Sequence, residues 1–424
     1  MPGVRLATAL TILVVGVLAA GCGGEAAEET APVAPSTTVA PTTVPPTTTV
    51  APTTTGPTTT GAADTDIGLE WAPVPEDEAL FGSAEVWSAA AGGPGLVAVG
   101  ADTSGDDWVA AAWVSEDGYT WSRVPHDEGV FGGPGVQVMY AVTAGGPGLV
   151  AVGRDEGELD YEPAVWVSAD GYGWTRIEDE AALARGYTYS ATAGGPGLVV
   201  AGTENEAGTT TLEDGSGWAD DDAAVWLSAD GYTWTRIEDE ALGGPMDQWI
   251  SAVTAGGPGL VAVGGGGSGI DDTLAPNGAV WVSADGYTWT RIVDDAVFAG
   301  VRFSSVAAGP GGLVAVGGGW DDYGMGSAFV SEDGYTWTPV ETGEGYVGSV
   351  TAGGPGWVAA GLAEDSETGA VCAVWVSEDA QAWTRVGEQA LGGCTRINFI
   401  VAWDLGLVAF DRFSGPVAVS PPPG

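Results

Sequence analysis

One seven-residue phrase recurs along this chain and limits what it can fold into. It reads Ser-Glu-Asp-Gly-Tyr-Thr-Trp at 115–121 and 331–337, and Ser-Ala-Asp-Gly-Tyr-Thr-Trp at 228–234 and 283–289. A close variant occupies 168–174 and a worn copy 377–383. The closing tryptophans, together with Trp71, follow one another at intervals of 46 to 60 residues. Self-similarity at that period marks a stacked or radial array in which each repeat is one supersecondary unit.

The unit at 141–174 reads strand by strand. Residues 141–144 are small or β-branched, and Gly145-Gly146-Pro147-Gly148 is a tight turn. Residues 149–152 are an apolar strand, 154–162 a polar acidic loop, and 164–167 a third strand. Asp170-Gly171 turns the chain into a fourth strand at 174–177. Four strands joined as hairpins make a meander sheet, and no stretch has helical periodicity, so the domain is expected to be all-β. Four-stranded antiparallel sheets repeated radially form a β-propeller. Apolar runs such as Leu260-Val261-Ala262-Val263 suit strands buried on both faces. The first strands, rich in Ala, Thr and Gly, are expected to line a crowded axis. A stack of β-solenoid coils is the alternative, but its repeats are shorter.

The blade count follows from the ends. Residues 401–410 align without a gap on 351–360, and Val417-Ala418-Val419-Ser420 matches a third strand with no fourth. Residues 69–74 form a fourth strand without partners. Joining the two predicts seven blades, closed by an N-terminal strand that completes the last, which removes both free sheet edges.

Arg5 precedes an apolar stretch at 6–20, followed by Leu18-Ala19-Ala20-Gly21-Cys22. This resembles a bacterial lipoprotein lipobox, with Ala19 where that family usually has Leu. The resemblance implies a signal peptide at 1–21, acylation of Cys22, and anchorage to the outer face of the bacterial cell membrane. Residues 22–64 are rich in Thr and Pro and are expected to form a disordered stalk. The propeller then spans 65–420, and 421–424 are a tail. In an exported protein the remaining pair, Cys372 and Cys394, is expected to form a disulfide.

Asp and Glu number 57 against 11 basic residues, all arginine, for a formal charge of -46. Such a surface repels nucleic acid and anionic headgroups, so membrane contact is expected only through the lipid anchor. It suits cations, or simply keeps a monomer hydrated.

The phrase itself resembles the Asp-box of sialidase-type propellers, Ser-x-Asp-x-Gly-x-x-Trp, also known as the BNR repeat. Most copies here are one residue shorter between Asp and Gly. The stretch 66–71 has the family spacing, but Asp64 stands where Ser is usual. The resemblance implies a structural staple for the turn between the third and fourth strands, and no shared chemistry. No sialidase site carries over, since the Phe-Arg-Ile-Pro motif is absent. Arg123, Arg176, Arg236, Arg291 and Arg385 occupy one repeat position, expected to be structural and to stack on the phrase tryptophan. Arg154, Arg185, Arg302, Arg396 and Arg412 are left over.

Turn lengths separate a plain face from one that carries variable loops, and binding usually lives on variable loops over a rigid scaffold. Acids cluster in those loops. Asp220, Asp221, Asp222, Asp271, Asp272, Asp321 and Asp322 are candidate Ca²⁺ ligands. Trp108, Tyr161, Trp218, Trp320 and Tyr323 are candidate ligand-face aromatics able to stack on sugar rings. The longest loop, 203–222, is the first place to look. The competing reading is solvated acidic loops with packing aromatics. No catalytic residue is assigned. The expected function is a non-enzymatic binding module for a glycan or an envelope protein through its acidic face. An extracellular glycan hydrolase, sialidase-like or using a carboxylate pair, is the alternative.

Overall fold

Leu-Val-Ala-Val runs can be apolar throughout only if both faces of the strand are covered, and they are. A computed structural model describes residues 69–422, apart from 157–160, 178–185, 206–209, 212–216, 219–220, 245–246, 268–276, 320–325, 344, 366–368, 387–390, 392–393 and 395. Seven four-stranded antiparallel sheets follow one another along these residues. Blade 1 comprises Ala84–Gly92, Gly95–Asp102, Val109–Ser115 and Trp121–Arg123. Blade 2 comprises Gln137–Gly145, Gly148–Glu156, Tyr161–Ser168 and Trp174–Ile177. Blades 3 to 6 begin at Tyr187–Gly194, Gln248–Gly256, Val301–Gly309 and Tyr346–Gly353 and repeat the meander.

Blade 7 is built from both ends of the described chain. Phe399–Trp403, Gly406–Asp411 and Gly415–Ser420 supply three strands, and Ala72–Pro73 supplies the fourth. Ala72 pairs with Val419 and Pro73 with Ala418, and the Val74 N–H donates to the Val417 carbonyl at 2.9 Å.

The core is seven separate apolar layers, each between two successive sheets. Between blades 1 and 2, Val97, Val99 and Val114 meet Met139, Leu149 and Trp166. Another layer packs Val408, Phe410 and Val419 of blade 7 on Val86, Leu96 and Trp113 of blade 1, so the ring is closed. Period-2 alternation sends neighbouring residues of one strand into different layers. Among the described residues three one-turn helices lie in the blade links, Glu78–Phe81, Glu128–Phe131 and Asp295–Phe298. Each is capped by an aspartate (Asp77, Asp127, Asp294) and buries its last phenylalanine.

The recurrent phrase is a self-contained turn. In blade 2, Ser168 Oγ accepts the Gly171 N–H at 2.9 Å. Asp170 Oδ1 accepts the Tyr172 and Gly173 N–H groups, both at 2.9 Å, and Trp174 Nε1 donates to the Gly171 carbonyl at 2.9 Å. Gly171 has φ 83°, a conformation that suits glycine. The worn copy keeps the aspartate and tryptophan bonds but places Ala380 there at φ 62°.

Two expectations need correction. The stretch 154–162 is not a free loop: Arg154, Asp155 and Glu156 extend the second strand and pair with Pro163, Glu162 and Tyr161. In blade 3, Thr203, Glu204 and Asn205 likewise pair with Ala223, Asp222 and Asp221. The charges are tolerated because the strand ends find partners. Asp155 forms an ion pair with Arg176, and Glu204 pairs with Arg236.

The repeated arginines stack differently from the expectation as well. Arg176 lies 5.8 Å from the ring of Trp166 and Arg291 5.5 Å from that of Trp281. Each of these is the third-strand tryptophan directly across the ladder, not the phrase tryptophan. Residues two apart on a short strand do share a face. Here the cross-strand partner is nearer.

Candidate functional site

Six of the seven inner strands carry a β-bulge at the same register. The unpaired residues are Trp87, Tyr140, Tyr189, Ser251, Ser304 and Gly348 in blades 1 to 6. A bulge re-aims a side chain. All six line a single axial cavity of about 1190 Å³. The bulge pushes a carbonyl toward the second strand, and that strand always has glycine there. A Cβ would lie 1.8 Å from Glu85 O at Gly100, 1.8 Å from Val138 O at Gly153, and 1.9 Å from Tyr346 O at Gly361. In blade 7 the inner strand pairs without a shift, and Asp411 takes the glycine's place.

The bulges lie toward the start of each inner strand, on the side where second strands end and blade links arrive. The cavity therefore opens toward the variable loops. Its wall is uneven. Blades 1 to 3 contribute an aromatic arc, in which Trp87 meets Tyr140 edge-on at 4.9 Å and Tyr140 lies 6.3 Å from Tyr189. Tyr187 stacks on Tyr189 at 6.0 Å. Blades 4 to 6 contribute small residues at the same place, with Trp249, Arg302 and Tyr346 two positions earlier.

Charge is placed sparingly. The Arg412 guanidinium lies 3.1 Å over the Trp87 ring and is held by Glu85 through Nε at 2.9 Å. Arg302 lies 5.6 Å from the Trp249 ring, and Arg154 lies 5.9 Å from that of Tyr140. Asp221 and Asp247 both border the cavity, and the Asp221 N–H donates to Asp247 Oδ1 at 3.2 Å. Tyr189 is 37% exposed, and that surface faces the channel rather than the outside of the ring. Burial there, with Tyr187, Tyr140 and Asp221 close by, holds its phenol well above the ordinary range. It is a permanent hydrogen-bond donor.

The axis is thus not crowded by small residues on the loop side, as the sequence reading expected. In blade 2 the run of small and β-branched residues starts at Ala141, one residue past Tyr140. The available signal was variation: the bulge position holds Trp, Tyr, Tyr, Ser, Ser and Gly in turn, while the residue after it is always Ser or Ala.

Of the expected ligand-face aromatics, Trp108 is half-buried beside blade 1, where its carbonyl accepts the Gln137 N–H at 2.9 Å. Tyr161 pairs with Glu156, and Trp218 pairs with Thr210 in a separate two-stranded piece. Trp320 and Tyr323 lie outside the described residues, as do Asp220, Asp271, Asp272, Asp321 and Asp322. Asp221 and Asp222 are neighbours on one strand and turn to opposite faces. Asp222 accepts the Gly244 N–H at 3.1 Å, away from Asp221 and the cavity wall. Among the described residues no group of three His, Cys, Asp or Glu could hold a metal ion. Cys372 and Cys394 are bonded to each other, with Cα atoms 6.0 Å apart. No helix among the described residues is long and apolar enough to cross a membrane.

No family model matches the sequence, and no curated protein does. Many solved structures are similar in outline, and three illustrate the likeness. A structure of YCF48 bound to D1 peptide is 12% identical, covers 83% of this chain and 96% of its own, and superposes with a TM-score of 0.48. That of U3-55K is 12% identical, with coverage of 83% and 98% and a TM-score of 0.45. An ancestral GH74 enzyme is 10% identical over 82% of this chain, but only 46% of its own length is matched, with a TM-score of 0.46. At these values the likenesses carry no argument about function. The seven-blade architecture rests on this chain's own strand pairing.

Proposed function

We propose that this chain is a non-enzymatic binding module that takes a glycan into the loop-side half of its axial channel. The observation that carries this reading is the arc of Trp87, Tyr140 and Tyr189, raised on bulges into one cavity. Aromatic faces cover the C–H faces of sugar rings. The hydroxyls of Ser251 and Ser304 and the carboxylates of Asp221 and Asp247 offer partners to sugar hydroxyls. The acidic character expected of the binding face enters through those two carboxylates. The setting of this reading is an exported protein, acylated at Cys22 and raised from the outer face of a bacterial membrane by the 22–64 stalk. The phrase turn is read as a shortened Asp-box.

A glycan array probed with the exported domain, with calcium and with chelator, tests the proposal. Binding is the expected result, and chelator sensitivity would bring calcium into the site. An array without signal sinks the glycan reading and turns the search to an envelope protein, by capture from the cell envelope.

A glycan hydrolase is the second reading, favoured by Asp221 and Asp247 sharing the cavity wall. Two carboxylates flanking a bound sugar are the minimum for glycoside hydrolysis. Release of reducing ends from an array-positive glycan, abolished by Asp247→Asn, would establish it. Binding without turnover would exclude it.

A further inference from the structure

The repeat serves as its own control, and blade 4 fails it at one place. In blade 2, Asp155 is the last residue but one of the second strand. Its carboxylate accepts from Gln137 Nε2 at 2.8 Å and pairs with Arg176. Asp102 with Arg123 and Glu204 with Arg236 repeat the ion pair in blades 1 and 3. Blade 4 keeps the two donors. Gln248 faces Gly266 across the ladder as Gln137 faces Asp155, and Arg291 faces Trp281 as Arg176 faces Trp166. What it lacks is the acid, because Gly266 occupies that position.

The donors are left without it. Gln248 is 1% exposed, and among the described residues neither Nε2 nor Oε1 has a hydrogen-bond partner. Gln137 Oε1 is also unbonded, so the difference between the blades is the buried Nε2 donor, which in blade 2 reaches both Pro134 O and Asp155. Arg291 is half-buried and touches the Trp281 ring, but no carboxylate pairs with it among the described residues. Burial pulls its guanidinium below the usual range. A Cβ on Gly266 would stand 2.7 Å from Arg291 Nη2, the movable end of that side chain, and 3.2 Å from both Gln248 Cγ and the Asp247 carbonyl oxygen. Both side chains therefore border the space that an aspartate side chain fills in blade 2. Asp222, from the neighbouring blade, reaches the same loop but spends an oxygen on the Gly244 N–H at 3.1 Å.

We propose that blade 4 binds a small carboxylate at this place, with Arg291 and Gln248 Nε2 as its donors. The missing group is –CH₂COO⁻, so acetate is the matching isostere, and carboxylates pair well with a planar guanidinium. Leaving a buried donor unmade is costly, which favours occupancy. The site is separate from the aromatic arc and does not depend on glycan binding. Gln248 borders the channel as well, so the carboxylate can be the end of a larger molecule.

The test uses the full chain and sodium acetate, with sodium chloride at equal ionic strength and neutral acetamide as controls. Acetate should raise the unfolding temperature saturably, with a Kd on the order of 1–10 mM for so small a ligand. Chloride and acetamide should not. Gly266→Asp restores the acid of blade 2, and no backbone φ forbids it. It should unfold at a higher temperature without acetate, and its acetate response should weaken by about tenfold or more. Arg291→Met should lose the response too, and it carries the comparison if Gly266→Asp does not fold. An absent response in the parent chain overturns the proposal. So does an equal response in the parent and both variants, which would put acetate elsewhere.

Discussion

The carbonyl oxygen of Val138 stands 1.8 Å from where a Cβ on Gly153 would be. No L side chain can enter without moving the bulge that points Tyr140 into the channel. Gly153→Ala should therefore cost about 3 kcal/mol or more, in the range of strained core substitutions. Gly129→Ala, in a one-turn helix where the new methyl meets nothing closer than 3.5 Å, should stay within about 0.5 kcal/mol. Equal denaturation midpoints for the two variants would refute the coupling of bulge and glycine.

Ala380 holds the left-handed conformation that glycine holds in the other copies of the turn. An alanine there is disfavoured by about 1–2 kcal/mol, while glycine gives back about 0.4–1 kcal/mol through the unfolded chain. Ala380→Gly should thus stabilise by about 0.5 kcal/mol. Gly286→Ala should lose about 1–2 kcal/mol, since it pays the conformational cost and meets Leu227 Cδ2 at 3.2 Å. Opposite signs in equilibrium unfolding are the expected outcome.

Acid should weaken the fold through the turns. Asp170, Asp230, Asp285, Asp333 and Asp379 are each held below the ordinary 3.8, first by the backbone N–H three residues on and then by that two residues on. A carboxylate whose folded pKa is depressed contributes stability above its unfolded pKa and loses it as pH falls through the folded value. Unfolding temperature should hold steady down to about pH 4 and drop below it. Asp285→Asn should show a smaller drop than the parent over the same interval, measured by thermal melts at stepped pH.

Trp87→Ala and Tyr140→Ala should each weaken an array-positive glycan by about tenfold, the scale of one lost aromatic contact. Tyr119→Ala removes a more exposed ring from the plain face and should change nothing. Calorimetric titration of the three variants decides. If Tyr119→Ala alone weakened binding, the site would lie at the other end of the ring.

Much of this architecture can be read from residue order, because the physics is local and repeated. Asp-Gly before tryptophan demands a turn, and the unpartnered strands at 69–74 and 417–420 demand each other. The arginine position was legible as structural for the same reason, although its stacking partner depended on cross-strand geometry. The channel was not legible. A bulge adds one residue to a strand without changing its composition, so Tyr140 looks like the tail of a linker until the pairing of Met139 with Gly153 and Ala141 with Val152 is seen. The glycine it requires was in plain view at Gly100, Gly153 and Gly202, but glycines are so common in this chain that none stands out. The same excess hid Gly266, whose meaning appears only when blade 4 is laid over blade 2.

Pairing Ala72 with Val419 also sets an order of events. Each of the first six blades can form as its hairpins emerge, since every partner is close along the chain. The seam cannot, because its outer strand is made first and must wait for nearly everything else. A chain interrupted before position 415 keeps two open edges and a bare Trp71, the features that invite aggregation or proteolysis. The latch thus ties the closing of the ring to the arrival of its last strand, whatever the order in which the other blades settle.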